Sequence, residues 1–146
     1  MPNTYTNLCY HIVFSTKGRE PFLSPTVRAR MHEYLGGCLR SIGAVPLEVG
    51  GVADHVHLLA SLKPTHAVSE VLRSIKKGSS AWIGEEIRAF RWQDGYSAFT
   101  VGHSDVEQVR RYIRGQEEHH RVRPFADEYR ELLAEQGIEF AERYLL

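Results

Sequence analysis

The chain has 146 residues, of which 42% are hydrophobic, and its 18 lysines and arginines balance its 18 aspartates and glutamates. This length suits one domain with an apolar core, so we expect residues 1–146 to form a single domain. No run of about 18 to 20 apolar residues and no basic leader is found, which argues against membrane and secreted classes. With only two cysteines, Cys9 and Cys38, we expect reduced thiols and a cytoplasmic protein.

The charges are unevenly distributed along the chain. The part up to residue 125 is mildly basic, whereas residues 126–146 are acidic. The basic residues of interest form two groups, one with Arg73, Lys76, Lys77, Arg88 and Arg91 and the other with Arg110, Arg111, Arg114, Arg121 and Arg123. Such groups are solvated helix faces in most proteins, and contacts to nucleic-acid phosphates are the alternative.

The first half of the chain predicts a strand, a helix and a hairpin. Residues 5–15 (YTNLCYHIVFS) are rich in β-branched and aromatic types, which favours a buried central strand. Ser24 followed by Pro25 is typical of a helix start, and apolar residues then recur at spacings of three and four up to Gly43. Residues 44–62 contain two short apolar runs and predict a β-hairpin.

The second half predicts a helix, a strand and two further helices. Residues 66–82 keep helical spacing, and residues 96–101 (YSAFTV) form the fourth predicted strand. Ser104 opens an S-x-x-E capping box, which predicts a third helix through about Arg121, and residues 125–136 predict a last one. This order predicts an α+β fold, a ferredoxin-like β-α-β-β-α-β sandwich with an antiparallel sheet and two C-terminal helices.

Two histidines in the hairpin are candidate metal ligands. In a strand, side chains at i and i+2 point to one face about 6.6 to 6.8 Å apart, so His55 and His57 can reach one ion while Val56 faces the core. Two ligands leave most coordination positions open, as in catalytic rather than closed structural sites. Two exposed or hydrogen-bonded strand histidines remain the alternative.

Tyr112 and Gln116 form a second candidate pair. They lie four residues apart on the predicted third helix and therefore share one face. A phenol and an amide oxygen placed in this way can act as a nucleophile and a metal ligand. A tyrosine packed at the rim of the core and a solvated glutamine are the simpler alternative.

Four segments together resemble a known family. They are YHIVFSTKGREPF, GVADHVHLL, FRWQDGYSAFTV and VRRYIRGQEEHHR. With H-x-H on a strand followed about fifty residues later by Y-I-x-x-Q on a helix, the chain resembles the small single-tyrosine HUH transposases of bacterial insertion sequences over nearly its whole length.

The resemblance implies a reaction and a set of site residues. Tyr112 would be the nucleophile, and His55, His57 and Gln116 would bind a divalent metal ion, Mg²⁺ or Mn²⁺. The implied activity is cleavage and rejoining of single-stranded DNA through a 5′-phosphotyrosine. Imidazole is a softer ligand than Mg²⁺ usually takes, so Mn²⁺ is expected to bind more tightly in vitro.

The resemblance also implies partners. These are single-stranded DNA with hairpin-containing element ends and a second copy of the chain, in a homodimer whose tyrosine helix serves the other subunit, with Gly102 as the swivel. Expected contacts to the DNA backbone are Arg73, Lys76, Lys77, Arg110, Arg111 and Arg114. A non-catalytic nucleic-acid-binding protein descended from such a transposase is the alternative function, and a phosphoesterase that uses water is a third.

Several other side chains have weaker signals. Asp54 could hold a neighbouring imidazole, but a role in the hairpin turn is favoured. His119 and His120 could be ligands or phosphate contacts, and solvated histidines are favoured. Some aromatic residues could stack on unpaired bases, although core packing is favoured for each of them. These residues are Trp82, Trp92, Tyr96 and Phe99.

Overall fold

A computed structural model of the chain describes residues 3–120 and 123–145, and it confirms the predicted order of strands and helices. The strands are β1 (Cys9–Ser15), β2 (Val45–Gly51), β3 (His55–Ser61) and β4 (Ser97–Thr100). The α-helices are α1 (Pro25–Ser41), α2 (Val68–Gly84), α3 (Val106–Arg114), α4 (Gln116–His120) and α5 (Phe125–Glu135). Short 3₁₀ turns cover Lys17–Arg19, His103–Asp105 and Glu142–Tyr144.

The four strands form one antiparallel sheet in the order β2-β3-β1-β4. Strand β1 therefore lies in the middle, as its apolar sequence predicts, and pairs with β3 on one side and β4 on the other. In this register Val13 of β1 lies opposite His57 of β3. The α+β class and the β-α-β-β-α-β order of the sandwich are confirmed.

Helices cover both faces of the sheet, because successive strand residues point to opposite sides. Ile12 and Phe14 of β1 belong to the core that packs against α1 and α2. Val13 packs on the other face with the apolar side of α5, and Cys9 packs there with Ile113 of α3. The additional helices after β4 thus form a third layer over the face that carries the odd-numbered residues of β1 and β3.

The predicted third helix is wrong in two respects. It begins at Val106 after a 3₁₀ turn, without a hydrogen bond from a capping side chain, so the capping box at Ser104 does not form. It also ends at Arg114, and a separate short helix, α4, follows Gly115. Glycine has low helix propensity, which allows the change of direction here. The expected end at Arg121 lies outside the described residues.

Other boundaries differ from the prediction by a few residues, most of all in β1, which begins at Cys9 rather than at residue 5. Both cysteines are free thiols; Cys9 is buried and Cys38 is half-buried. Among the helices in the described ranges, none combines the length and the hydropathy needed to cross a bilayer.

Candidate active site

The two histidines of β3 lie in the layer between the sheet and the C-terminal helices. His55 and His57 are both fully buried, at 0% exposure, while Val56 between them packs into the core on the opposite face. The expectation that both imidazoles point to one face is confirmed. Their complete burial means that each ring nitrogen needs a partner within the protein.

One nitrogen of each imidazole is held by a neighbouring side chain. Asp54 Oδ1 lies 2.8 Å from His55 Nδ1, and His11 Nε2 of β1 lies 2.8 Å from His57 Nδ1. Asp54 therefore combines its place in the hairpin turn with a contact to the imidazole. Both Nδ1 atoms are thus engaged, and the two Nε2 atoms face a common centre. This arrangement is typical of metal-binding histidines.

Oxygen atoms from α4 and α5 reach the same centre. Gln116 Oε1 lies 3.0 Å from His55 Nε2, and Glu128 Oε1 lies 3.1 Å from His57 Nε2. Gln116 Nε2 donates a hydrogen bond of 3.2 Å to Glu128 Oε2, which ties the two helices together. Gln116 is 1% exposed, so the alternative of a solvated glutamine is wrong.

Sequence reasoning missed Glu128 and His11. In α5 the side chains of Phe125, Tyr129 and Leu133 are buried against the sheet, and Glu128 lies on this same buried face with only 2% exposure. An acidic residue inside an apolar helical stripe is the signal that could have revealed it. His11 gives a similar signal, since it interrupts the apolar sequence of a central strand.

His119 and His120 both lie beside the Glu128 carboxylate of the centre. His120 Nε2 lies 3.1 Å from Glu128 Oε2 in hydrogen-bonding geometry. His119 Nε2 lies 3.0 Å from the same oxygen. This nitrogen is buried, but the angles of the contact do not satisfy a hydrogen bond. The interpretation as a solvated histidine is wrong for His120, because α5 brings a carboxylate over α4, whereas the side chain of His119 is still 31% exposed.

Tyr112 lies next to the histidines of its own chain. Its ring centroid is 5.5 Å from that of His57 and 6.0 Å from that of His11, and its hydroxyl is buried without a hydrogen-bond partner among the described residues. Burial, together with the nearby Glu128 carboxylate, raises the pKa of Tyr112 above its usual range. A cavity of about 300 Å³ between α3 and α5 reaches this side chain.

The electrostatic state of the centre depends on Glu128. Burial alone would raise the pKa of its carboxyl, but hydrogen bonds from His120 and His57 outweigh that effect and hold this pKa well below the usual range. Although burial opposes it, the bond with Glu128 raises the pKa of His120. Burial lowers the pKa of His57 to about 4, and burial together with the neighbouring His57 lowers that of His11 to about 3.

The donor atoms fit a divalent metal ion. The ligand-type atoms of His55, His57 and Glu128 all lie within 4.8 Å of one another, and Gln116 Oε1 adds an amide oxygen. Two neighbouring ligand atoms that each lie about 2.1 Å from an octahedral ion are about 3.0 Å from each other. The observed nitrogen–oxygen distances of 3.0 Å between His55 and Gln116 and 3.1 Å between His57 and Glu128 are close to this value. Two imidazoles and two oxygens are compatible with Mn²⁺ and related ions.

The predicted DNA contacts on α2 are only partly accessible. Arg73 and Lys77 are exposed on the outer side of this helix. Lys76 instead donates hydrogen bonds of 2.8 Å to the carbonyl oxygens of Gln93 and Gly95, so it holds the loop before β4. Its assignment to a solvated face is wrong, because its aliphatic stem lets the ammonium reach these carbonyl groups.

The predicted contacts on α3 lie on the opposite side of the sheet from α2. Arg111 is exposed, Arg114 pairs with Glu48 of β2 at 2.9 Å, and the half-buried Arg110 lies 3.6 Å from Glu107. The structure therefore does not combine the two groups of cations into one surface. The α3 group lies on the helix that carries Tyr112.

The aromatic candidates are mainly packing residues. Trp92 and Phe99 are buried in the two cores, as favoured. Trp82 stacks on Tyr34 of α1 with ring centroids 4.3 Å apart and planes nearly parallel at 7°. Tyr96 alone of the four is exposed, at 37%.

Comparison with known proteins identifies the family. Residues 4–116 match the family model described as "Transposase IS200 like". The chain belongs to the IS200-like transposase family. It is 30% identical over 129 residues to the transposase for insertion sequence element IS200 of Salmonella typhimurium, covering 80% of this chain and 81% of the relative.

Two further proteins extend this comparison. The ISDra2 transposase TnpA of Deinococcus radiodurans is 24% identical over 115 residues, covering 73% of this chain and 82% of the relative. The solved structure of a REP-associated tyrosine transposase bound to a REP hairpin superposes with a TM-score of 0.63 at 16% identity, covering 82% of this chain and 73% of that one. This second likeness supports the transposase fold.

Acidification is expected to destabilise the metal-free transposase. His11 and His57, with pKa values of about 3 and 4, stay neutral in the folded protein, whereas each takes up a proton near pH 6.5 in the unfolded chain. Because the unfolded state then binds more protons, the free energy of unfolding falls as the pH drops from about 6.5 towards 4. His32, whose pKa burial also lowers to about 4, adds to this fall, and His120, whose pKa is raised, acts in the opposite direction as one group against three.

Thermal unfolding in EDTA between pH 7.5 and pH 5 measures this effect. The Tm should fall over this range, and His11→Gln should make the fall shallower because one of the contributing histidines is removed. The exposed His103 provides a matched control, and His103→Gln should leave the slope unchanged. A Tm that is constant or rises towards pH 5 would contradict the prediction.

Proposed function

We propose that this IS200-like transposase cleaves and rejoins single-stranded DNA with Tyr112 as nucleophile and a divalent metal ion held by His55, His57 and Gln116. One observation carries the proposal. Side chains from β3, α3 and α4 meet in one buried centre, with Gln116 Oε1 3.0 Å from His55 Nε2 and the Tyr112 ring 5.5 Å from that of His57. A nucleophile and a ligand set beside each other are what phosphodiester transfer requires.

The reaction exchanges one phosphoester for another. The hydroxyl oxygen of Tyr112 loses its proton and attacks the phosphorus, a tyrosine–phosphate bond forms, and the bond from phosphorus to the 3′-oxygen breaks. The 3′-oxygen takes up a proton and leaves as a hydroxyl. A 3′-hydroxyl later attacks the phosphotyrosine and regenerates the phenol, so the bond energy is conserved and no external energy source is needed.

The state of Tyr112 supports the proposed role of a cation. Burial and the Glu128 carboxylate raise the pKa of the phenol, which makes it a poor nucleophile at neutral pH. A bound Mg²⁺ or Mn²⁺ would supply positive charge that polarises the phosphate and stabilises the charge developing on it and on the leaving oxygen. His11 and Asp54 keep the two imidazoles oriented for this task.

The DNA phosphate reaches the centre only if a helix moves. The hydroxyl of Tyr112 and both β3 histidines are out of contact with solvent. Helix α3 is flanked by Gly102 and Gly115, and glycine accepts large changes of backbone angles. Movement of α3 about these residues would open the site, and in a homodimer it would allow the tyrosine to serve the other subunit.

The DNA is proposed to be single-stranded with hairpin-containing ends. Support comes from the family and from the solved relative, which is described as bound to a REP hairpin. Arg111 is exposed on the helix that carries Tyr112, and it is therefore the best placed of the cations for contact with a backbone phosphate. Arg73 and Lys77, on the far side of the sheet, would contact other parts of the strand.

Tyr112→Phe should abolish the covalent protein–DNA adduct and leave DNA affinity within a few fold, because it removes only the nucleophilic oxygen. The assay incubates the protein with end-labelled single-stranded element ends and Mn²⁺ and separates adducts under denaturing conditions. Tyr129→Phe is the matched control, since the Tyr129 hydroxyl is paired with Ser97 and should not be the attacking group.

Each other outcome of this assay has a defined meaning. An adduct retained by Tyr112→Phe would refute the choice of nucleophile. No adduct with authentic ends would favour the non-catalytic DNA-binding protein. Turnover without an adduct would favour a phosphoesterase that uses water.

His55→Asn and His57→Asn should each weaken Mn²⁺ binding by at least tenfold and reduce cleavage in parallel. Asparagine places its amide near the position of Nδ1 and so keeps the contact to Asp54 or His11, but it has no donor atom at the position of Nε2. Isothermal titration calorimetry with Mn²⁺ measures the affinity, and exposed His103→Asn is the control. Wild-type affinity in both variants would contradict the metal site.

Mixing Tyr112→Phe protein with His57→Asn protein should restore activity if the tyrosine helix is exchanged between subunits. After random exchange, half of the dimers are mixed and each has one intact site, which predicts about a quarter of the wild-type activity. If Tyr112 acts on its own chain, every site keeps one defect. No recovery after demonstrated subunit exchange would reject the composite site.

A further inference from the structure

We infer that Glu128 of α5 is a direct, anionic ligand of the divalent ion, and that Gln116 and His120 hold its second carboxylate oxygen in place. The inference rests on the proposed function, because it concerns the same metal ion. It goes beyond the ligand set of His55, His57 and Gln116 that the resemblance implies. It also gives the C-terminal helix, which lies outside the matched residues 4–116, a role in the chemistry.

The two oxygens of Glu128 have different surroundings. Oε1 faces the β3 histidines, 3.1 Å from His57 Nε2 and 3.7 Å from His55 Nε2. Oε2 points the other way and lies within 3.0 to 3.2 Å of nitrogens of His119, His120 and Gln116. One oxygen thus lies among the metal-binding nitrogens, while the other is anchored by α4.

The buried position of the Glu128 carboxylate is energetically unfavourable unless the side chain has such a role. Its side chain is 3% exposed and lies between Phe125 and Tyr129 on the face of α5 that packs against the sheet. Transfer of an ionised carboxylate from water into such a layer is strongly unfavourable unless charge and hydrogen bonds compensate it. An apolar residue at this position would continue the apolar stripe, so packing alone does not explain the glutamate.

Ligand chemistry favours a carboxylate at this place. His55, His57 and Gln116 supply two neutral imidazoles and a neutral amide, which leave both positive charges of the ion uncompensated in a buried layer. Mg²⁺ and Mn²⁺ prefer hard oxygen ligands, carboxylates above all. Glu128 adds a negative oxygen and thereby adapts a histidine-rich site to these ions.

The geometry does not support the alternative that Glu128 takes the proton of Tyr112. The phenolic oxygen lies near this carboxylate but forms no hydrogen bond of good geometry with it. Both oxygens of Glu128 are already engaged, since Oε1 lies 3.1 Å from His57 Nε2 and Oε2 is hydrogen-bonded with Gln116 and His120. A ligand role uses the carboxylate in the ionised form that these neighbours stabilise.

Calorimetric titration of Mn²⁺ into the full chain tests the inference. Glu128→Gln should weaken binding by at least tenfold. Glu131→Gln is the matched control, because Glu131 lies one turn further along α5, is exposed, and borders the same cavity. Its affinity should stay within about twofold of wild type. Wild-type affinity in Glu128→Gln would overturn the inference.

A spectroscopic measurement on the wild-type chain avoids any effect of substitution on folding. Protein with ¹³C-labelled glutamate carboxyl groups is loaded with Mn²⁺ and examined by electron–nuclear double resonance. A directly bound carboxylate should give a strong ¹³C coupling, and loss of this coupling in Glu128→Asn at saturating Mn²⁺ assigns it. Absence of a strong coupling in the wild type would overturn the inference.

The outcomes separate this inference from the proposed function. If His57→Asn loses Mn²⁺ and Glu128→Gln does not, the metal site stands and the ligand role of Glu128 fails. If the wild-type chain binds no Mn²⁺, both fail. Two ions per chain, with the second lost in His119→Asn, would overturn the assignment of His120 as an anchor in favour of a second site at the group that His119 and His120 form with Glu128.

Discussion

The buried carboxylate of Glu128 is the constraint on which the layer beneath the C-terminal helices depends. An ionised group out of contact with water persists only where donors surround it. These donors come from separate elements: His57 from β3, and Gln116 and His120 from α4. The same hydrogen bonds therefore stabilise the negative charge of the carboxylate, fix α4 against α5 and orient the side chains of the site. Apolar packing of α5 on the sheet alone would fix none of these positions.

Close approach of α3 to β2 is the second condition for this arrangement. A Cβ atom on Gly50 would lie 2.6 Å from the carbonyl oxygen of Ile113, so the backbone of α3 can rest on the strand only because this residue is glycine. Ile113 is then buried with Leu59 and Cys9. Because the helix ends immediately afterwards at Gly115, the chain turns and directs Gln116 into the centre, while Tyr112 stays one turn away beside His57.

Local sequence patterns predicted much of this molecule, and the parts they missed are those decided by distant contacts. Alternation in a strand is enough to place His55 and His57 on one face, and apolar spacing is enough to find α1, α2 and α5 within a few residues. The break at Gly115 was not predicted, because the residues on both sides are helix formers and contact with the sheet decides where α3 ends. Glu128 and His11 were missed because a charged or polar residue in an apolar stripe becomes meaningful only when its distant partners are known.

The closed centre also links the reactivity of Tyr112 to the position of α5. Burial and the Glu128 carboxylate both raise the pKa of the phenol, and Glu128 belongs to the helix that borders the cavity leading to it. A cation bound at Glu128 would weaken the negative field that this carboxylate exerts at Tyr112. Displacement of α5 or α3 would let solvent and a phosphate reach the hydroxyl. Both changes act on α3 and α5, and both lower the pKa of Tyr112. Under the proposed function, a tyrosine held in this way would stay unreactive until cation and substrate are present together, which would protect a nucleophile that attacks DNA backbones from acting without them.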